Sequence, residues 1–403
     1  MERFIARQPI FDRKQKIFGY ELLFRSGLEN YFDCPDFDEA SSRVIADSFL
    51  LFSIDEMTDG TRAFINMTRN ILVKDYTTVL PRQTVVAEIL ETIDPDEDLI
   101  GACRRLKNAG FTVALDDFVY RRAYEPVFEY VDIIKVDFLA TPLPRCGELA
   151  EALAPRGIKL VAEKVETQEV FQQALGMGYD YFQGYFFSRP VIVSRRDIPA
   201  SKLHYLRILR EINSPEMDFR QLEQTIHGEV SVSYKLLKYI NSAAFGLRRR
   251  VTSIGQALAL LGENEIRKWA SLLALTNLAL DKPDALVACA QVRAKLCELL
   301  APAAGLQART AECFLMGLFS LLDAILDRPM PQILAEIPME EDIRRALLGE
   351  SNPLRQLLDL VVSIERGDWA LMEELATGLG LAKTPLQECF MTAIRWVRQT
   401  SRI

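Results

Sequence analysis

Six short apolar or β-branched runs in the first half of the chain each close on a residue with chemistry to offer. AFIN ends on Asn66, and VVAE ends on Glu88 with Glu91 three residues further on. VALDD ends on Asp116 and Asp117, and IIKVD carries Lys135 and Asp137. LVAE ends on Glu163 with Glu166 close behind, and YFQG carries Gln183. Carboxylate and amide oxygens are hard ligands, suited to Mg2+, Mn2+ or Ca2+. Carboxylates brought to one place repel one another unless a cation sits among them. One such acid is well explained as a solvated strand end. Six successive runs ending this way are not, provided that the runs are neighbours in one sheet.

The elements that would make them neighbours repeat as one unit, a short strand-like run followed by a helical pattern. Strands are expected over Phe4–Phe11, Gly19–Phe24, Arg62–Asn66, Thr84–Glu88, Thr112–Asp116, Ile133–Asp137, Lys159–Glu163 and Tyr181–Phe186. Eight strands with helices between them imply a (β/α)8 barrel, which gathers its C-terminal strand ends on one rim and places chemistry there. DRKQKI, between the first two strands, is too short for a crossover helix. That pair must be an antiparallel hairpin, so the barrel is a modified, TIM-like one with one antiparallel strand.

From about Ser201 the pattern changes to amphipathic helices. FRQLEQTIHGEVSVSYKLLKYI, IGQALALLG, NEIRKWASLLALTNLAL and PLRQLLDLVVSIERG repeat apolar residues at spacings of three and four. Breaks are expected at Ser214–Pro215, Pro283, Pro302, Pro329–Pro331 and Pro353. The fold class is therefore α/β plus all-α: a barrel over residues 1–198 and a helical domain over 199–403, joined near SRRDIPASK, with separate cores.

Bulk properties set the outer limits. The 403 residues are 49% hydrophobic and 26% charged, which suits two domains with real cores. A formal charge of −8 disfavours nucleic acid as a partner, since that needs a cationic face. Seven cysteines lack CxxC or zinc-ligand spacing, and MERFIARQPIF carries no apolar leader, so a reduced cytoplasmic setting is expected. The most apolar helical run, Trp269 to Leu280, is too short to span a bilayer and is interrupted by Ser271, Thr276 and Asn277, so no membrane role is expected.

Over residues 4–191 the ordered segments RQPIF, GYELLFR, INM, EILET, LDDF, DIIKVD, VAEKVET and FQGYFFSRP resemble an EAL-domain cyclic di-GMP phosphodiesterase. The resemblance implies cyclic di-GMP as ligand and Mg2+ or Mn2+ as cofactor in the barrel. It implies Glu21, Asn66, Glu88 and Asp116 as metal ligands, with Asp117 shared with a second metal. Lys135 would orient the attacking water or a phosphate, Glu163 would be the general base, and Gln183 would lie beside the metal. Gln8 and Arg25 would touch guanine and phosphate, and Pro190 would line the guanine pocket. Two metals about 4 Å apart suit phosphodiester hydrolysis, and an arginine fork suits phosphate.

The segment after the paired aspartates departs from the family. The family pattern is DDFGTGYSSL, whereas this chain reads DDFVYRRAYEPVF, with Val119, Arg121 and Arg122 in place of small residues. Glu91 matches the family's loop anchor but loses its usual partner loop. Lys164 replaces the glycine of an AEGVE pattern, adding a long cation beside Glu163.

KLLKYINSAAFGL followed by VTSIGQALALLGENEIRKWA resembles the HDOD domain, most strongly over residues 200–280. The marks are Asn241-Ser242-Ala243, Gly246, Ser253-Ile254 and Leu261-Gly262. HDOD domains are similar in fold to HD phosphohydrolases but lack their His-Asp metal pairs. Here Gly317-Leu318-Phe319-Ser320-Leu321 sets Ser320 and Leu321 where a GLLHD-like pattern has His and Asp. A hydroxyl and an alkyl group cannot replace imidazole and carboxylate, and His204 and His227 are too few to rebuild a dimetal site. No metal is expected in this half. Arg248–Arg250 reads as a solvated loop, or as an anchor for an acidic partner or for the barrel.

Three functions compete. In the first, the barrel binds cyclic di-GMP, hydrolyses it weakly or not at all, and the HDOD half passes the state to a protein partner. In the second, the chain is an active Mg/Mn-dependent phosphodiesterase producing pGpG. In the third, it is a ligand-free protein–protein scaffold. The rim residues argue against the third, and the altered loop favours the first over the second. A homodimer is compatible with all three.

Overall fold

Eight strands close on themselves in chain order, and the parallel ones among them are short apolar runs buried on both faces. They are β1 (Phe4–Asp12), β2 (Ile17–Arg25), β3 (Arg62–Met67), β4 (Val85–Ile89), β5 (Thr112–Leu115), β6 (Ile133–Asp137), β7 (Lys159–Glu163) and β8 (Tyr181–Gln183). The computed structural model describes residues 4–25, 54–74, 77, 80–188, 200–214, 240–241, 251 and 253–400. The chain divides into two compact units: Met1–Arg189 with Ser363–Trp369, and Pro190–Val362 with Ala370–Ile403.

β1 runs antiparallel to both β2 and β8, and every other neighbouring pair is parallel. The barrel is thus the modified one that the short first connection required. Its lower interior is an apolar layer of Ile10, Phe64, Val86, Ala114, Ile133 and Val161, with Phe18 and Tyr181 against it. A strand repeats its facing every two residues. Two positions beyond this layer stand Asn66, Glu88, Asp116, Lys135, Glu163 and Gln183. On the reversed β1 the matching position is two earlier, at Gln8. On β2 the register slips between Ile10 and Phe11. The extra residue lets Glu21, three positions after Phe18, reach the same level.

Two expectations are corrected. β8 was expected to run to Phe186 but stops at Gln183, because Gly184 turns the chain at φ 143°. A Cβ there would lie 2.2 Å from the Val165 carbonyl oxygen, so only glycine fits the approach. The β5–β6 connection was expected to be a helix, but it carries two short 3-10 turns, Arg122–Tyr124 and Phe128–Tyr130. Pro126 between them has no N–H to give to an α-helix. The β4–β5 crossover is helical. Glu97–Asn108 is capped by the Asp96 side chain, which accepts from the Leu99 N–H at 3.0 Å. Acids open that helix, Arg105 and Lys107 close it, and Leu99, Ala102, Cys103 and Leu106 are buried.

The second unit is helical throughout its described residues. Its longer helices are Ala200–Ile212, Ile254–Leu278, Asp284–Leu300, Thr310–Phe319 and Leu386–Thr400, and Pro353–Arg366 begins within it. Gly262, at φ 73° and ψ 167°, interrupts the second of these, so the two helical patterns read from the sequence meet there as separate segments. Pro283, Pro329 and Pro353 stand at helix starts, where a missing N–H costs nothing. Asn241 holds the chain ten residues on, donating to the Val251 carbonyl at 2.9 Å and accepting its N–H at 2.8 Å. Among the described residues no helix is long and apolar enough to cross a membrane. His227 and Arg248–Arg250 lie outside the described residues.

Candidate functional site

The polar layer above the barrel's apolar floor converges on one nitrogen. Lys135 Nζ lies 2.8 Å from Glu88 Oε1, 2.8 Å from Asp116 Oδ1, 2.8 Å from Glu163 Oε1 and 3.1 Å from Glu21 Oε2. Asn66 donates to Glu21 Oε1 at 3.1 Å, and Gln183 donates to Glu21 Oε2 at 2.7 Å. Gln183 also donates to Gln8 Oε1 at 3.1 Å. Glu21, Asn66, Glu88, Lys135, Glu163 and Gln183 are all buried. Seven strands thus send one residue each into a connected network, and Asp116 adds the eighth, one position past the end of β5.

The electrostatics of this cluster are severe. Four carboxylates against one ammonium leave −4 + 1 = −3 if all are ionised. Burial pushes the Glu88 and Glu163 carboxyls well above the usual range, although Lys135 pulls both down. Burial also opposes the charge on Lys135. Asp116, Glu163, Glu21 and Glu88 together outweigh it and hold the ammonium well above its ordinary value.

The same residues test the fit of a metal. Asn66 Oδ1, Glu88 Oε2, Glu163 Oε2 and Gln183 Oε1 are buried and accept no hydrogen bond. A buried acceptor left so costs about 1–3 kcal/mol. Four hard oxygens in one network are the donor type of Mg2+ or Mn2+, so the residues fit such an ion. Among the described residues no three His, Cys, Asp or Glu side chains are already gathered in ion-holding geometry. The carboxylates are gathered on the Lys135 ammonium.

A second ion-pair centre adjoins the first. Lys164 Nζ lies 2.5 Å from Asp137 Oδ2 and 3.4 Å from both oxygens of Asp117. Asp137 also accepts from the N–H groups of Leu139 and Ala140, at 2.7 and 2.9 Å. Asp117 and Lys164 both adopt left-handed backbone conformations, at φ 39° and 54°.

The segment after Asp117 follows its own path. Tyr124 is buried edge-on against Phe118 and donates to the Ile93 carbonyl at 3.2 Å. Arg121 donates to the Tyr124 hydroxyl at 3.0 Å and to the Glu91 carbonyl at 3.4 Å. Tyr120 donates to Glu125 at 2.7 Å, and Glu125 pairs with Arg156 at 2.8 Å. Arg121 thus meets Glu91 at its backbone carbonyl and not at its carboxylate. The Glu91 side chain is exposed.

Of the site residues expected from sequence, Gln8, Glu21, Asn66, Glu88, Asp116, Lys135, Glu163 and Gln183 meet in one network, while Asp117 belongs to the Lys164 centre and Glu91 to neither. Arg25 ends β2 opposite Phe4, and its side chain lies outside the described residues, as does Pro190. Asp137 was named with Lys135 among the strand ends but was given no role in the site. The signal was present, because Asp137 follows Lys135 by two and shares its face of β6.

In the helical unit, Ser320 donates to the Gly317 carbonyl at 2.7 Å and accepts from Arg293 at 3.2 Å, and Leu321 is buried. A Cβ on Gly317 would lie 2.6 Å from the Arg293 carbonyl oxygen, so two helices touch backbone to backbone there.

A mixed eight-stranded barrel with an acidic rim, followed by a helical unit, is the architecture of an EAL-type barrel joined to an HDOD domain. The chain belongs to the EAL–HDOD family. Residues 35–190 match the EAL domain and residues 198–339 the HDOD domain. β1 and β2, with Gln8, Glu21 and Arg25, precede the matched span. Uncharacterized protein YuxH of Bacillus subtilis is 36% identical over 98% of this chain and 98% of its own length. Cyclic di-GMP phosphodiesterase CdgJ of Vibrio cholerae is 35% identical over 99% of this chain and 93% of its own. The Klebsiella pneumoniae BlrP1 calcium and cyclic di-GMP complex is 23% identical over 47% of this chain and 56% of its own, with a TM-score of 0.38. The chain is thus an EAL–HDOD protein related to cyclic di-GMP phosphodiesterases.

Proposed function

We propose that the barrel binds cyclic di-GMP at its acidic rim with Mg2+ or Mn2+, turns it over slowly or not at all, and that the helical half passes the bound state to a protein partner. The observation that carries the ligand is the closed network around Lys135, in which Glu21, Asn66, Glu88, Asp116, Glu163 and Gln183 meet at one rim. A divalent ion there would supply charge neutralisation and Lewis-acid polarisation of a phosphodiester. Lys135 holds the carboxylates together and offers positive charge to a phosphate oxygen. Glu163, with Oε1 on Lys135 and Oε2 without a partner, is placed to hold or accept a proton. Arg25 is assigned to phosphate and Gln8 to guanine from their sequence positions, and Pro190 to the guanine pocket.

Slow turnover is supported by the segment after Asp117. The aromatic anchor at Tyr124 and the ion pairs of Arg121 and Glu125 replace a small, glycine-bearing loop. Asp117 itself is engaged by Lys164. An active phosphodiesterase producing pGpG is the second reading, favoured by the full-length likeness to CdgJ. Calorimetric titration of the full chain with cyclic di-GMP, with and without Mg2+, followed by chromatography of the mixture, separates them. Binding without linear product supports the first reading. Turnover at about 1 s−1, the low end of ordinary enzymes, establishes the second. No binding at high micromolar ligand under either condition removes both.

A further inference from the structure

The second ion-pair centre has a chemical consequence of its own. Asp117 and Asp137 follow or end neighbouring strands of the rim, and both direct carboxylate oxygens to one ammonium. Their combined charge of −2 and their all-oxygen donor set are what a divalent ion takes. The adjoining Glu163 is about 95% buried, its Oε2 has no partner, and its charge acts on Lys164. Lys164 reaches this place from a left-handed backbone, φ 54°, where glycine is the residue of least strain. A long cation stands where neither burial nor backbone preference asks for one.

We infer that Lys164 is a tethered counter-cation for Asp117 and Asp137, which keeps a divalent ion out of this outer pair. Its ammonium carries one charge, is bonded to the chain, and is present at an effective concentration that a dissolved ion must overcome. The rim of this protein then holds divalent ions at the Lys135 network alone. Removal of Lys164 leaves two carboxylates without their ammonium, and the outer pair becomes a second position. The inference rests on the rim being a divalent-cation site, and not on cyclic di-GMP being its ligand.

The test uses the full chain and Mn2+ alone, with bound ions counted by equilibrium dialysis and by the loss of the free-ion electron paramagnetic resonance signal. Lys164→Gly relaxes the backbone, and Lys164→Gln keeps a side chain of similar reach. Both are expected to take up one more Mn2+ per chain than the unmodified protein. Lys164→Arg should keep the unmodified count, because the charge is retained. Adding Asp137→Asn to Lys164→Gly should abolish the gain. Unchanged counts in both the Gly and Gln variants overturn the inference, as does an unmodified protein that already loses one ion on Asp137→Asn. Because the probe contains no nucleotide, a failure to bind cyclic di-GMP sinks the functional proposal and leaves this result standing.

Discussion

Replacing Lys135 with methionine removes the ammonium shared by Glu21, Glu88, Asp116 and Glu163 while keeping a side chain of similar length. All four contacts are 3.1 Å or shorter, and Lys135 is fully buried. Deleting one partner of a buried ion pair costs about 3–5 kcal/mol. Four carboxylates do not multiply that figure, since Glu88 and Glu163 already lean toward their protonated forms and can discharge. A loss near ~5 kcal/mol is therefore expected, and for a domain of this size that lowers the melting midpoint by roughly 10–20 °C. The sign of the pH dependence follows from linkage. A carboxyl raised in the folded state contributes stability below its unfolded pKa and loses it as pH rises through the folded value. Lys135 lowers both Glu88 and Glu163, so its removal pushes their folded values higher and extends that window upward. The variant should lose stability more steeply than the unmodified protein as pH rises above the usual carboxylate range. Lys135 itself is raised, so its own contribution is lost only at alkaline pH. Scanning calorimetry over this rise in pH measures both effects. A midpoint shift below about 3 °C with an unaltered pH slope would refute the reasoning.

Three further outcomes are expected. Gly184→Ala drives a methyl against the Val165 carbonyl at a φ of 143° and should cost about 2 kcal/mol or more in denaturant titration; an unchanged midpoint would show that the turn can relax. Replacing Val119–Glu125 with Gly-Thr-Gly-Tyr-Ser-Ser-Leu should raise the yield of linear product without greatly changing affinity, and chromatography that shows no gain would clear this segment of blame for slow turnover. Arg25→Ala should weaken cyclic di-GMP binding by about 1.5–3 kcal/mol, roughly ten- to 150-fold by calorimetry, and an unaltered affinity would remove Arg25 from the phosphate contact.

The strands were legible because their signals are local. β6 and β7 run as their β-branched and apolar runs indicate, and the short DRKQKI connection was enough to require an antiparallel first pair. β8 was read too long because Tyr181–Phe186 is continuous in apolar and aromatic content. What ends it is the approach of Val165 to Gly184, a contact between different parts of the chain. The β5–β6 connection was read as a helix from the repeat of the barrel unit. Pro126 and the docking of Tyr124 onto Phe118 and Ile93 decided otherwise. In the helical half, the loss of His and Asp at Ser320 and Leu321 could be read directly. The packing of Gly317 against Arg293 could not, since it depends on the angle and distance at which two successive helices meet.

For the site, the sequence by itself determined the donor types and the strand ends that carry them, because strand alternation has a period of two and needs no knowledge of the partner strand. Asn66, Glu88, Lys135, Glu163 and Gln183 follow from that rule. Only the tertiary structure decided that four carboxylates share the Lys135 nitrogen, that Asp117 leaves this group for Lys164, and that Asp137 goes with it. Those partnerships are set by the stagger of neighbouring strands as the barrel closes, and by left-handed turns at Asp117 and Lys164 that redirect two side chains. The stagger relates residues far apart in the chain and is fixed only by closure of the whole sheet.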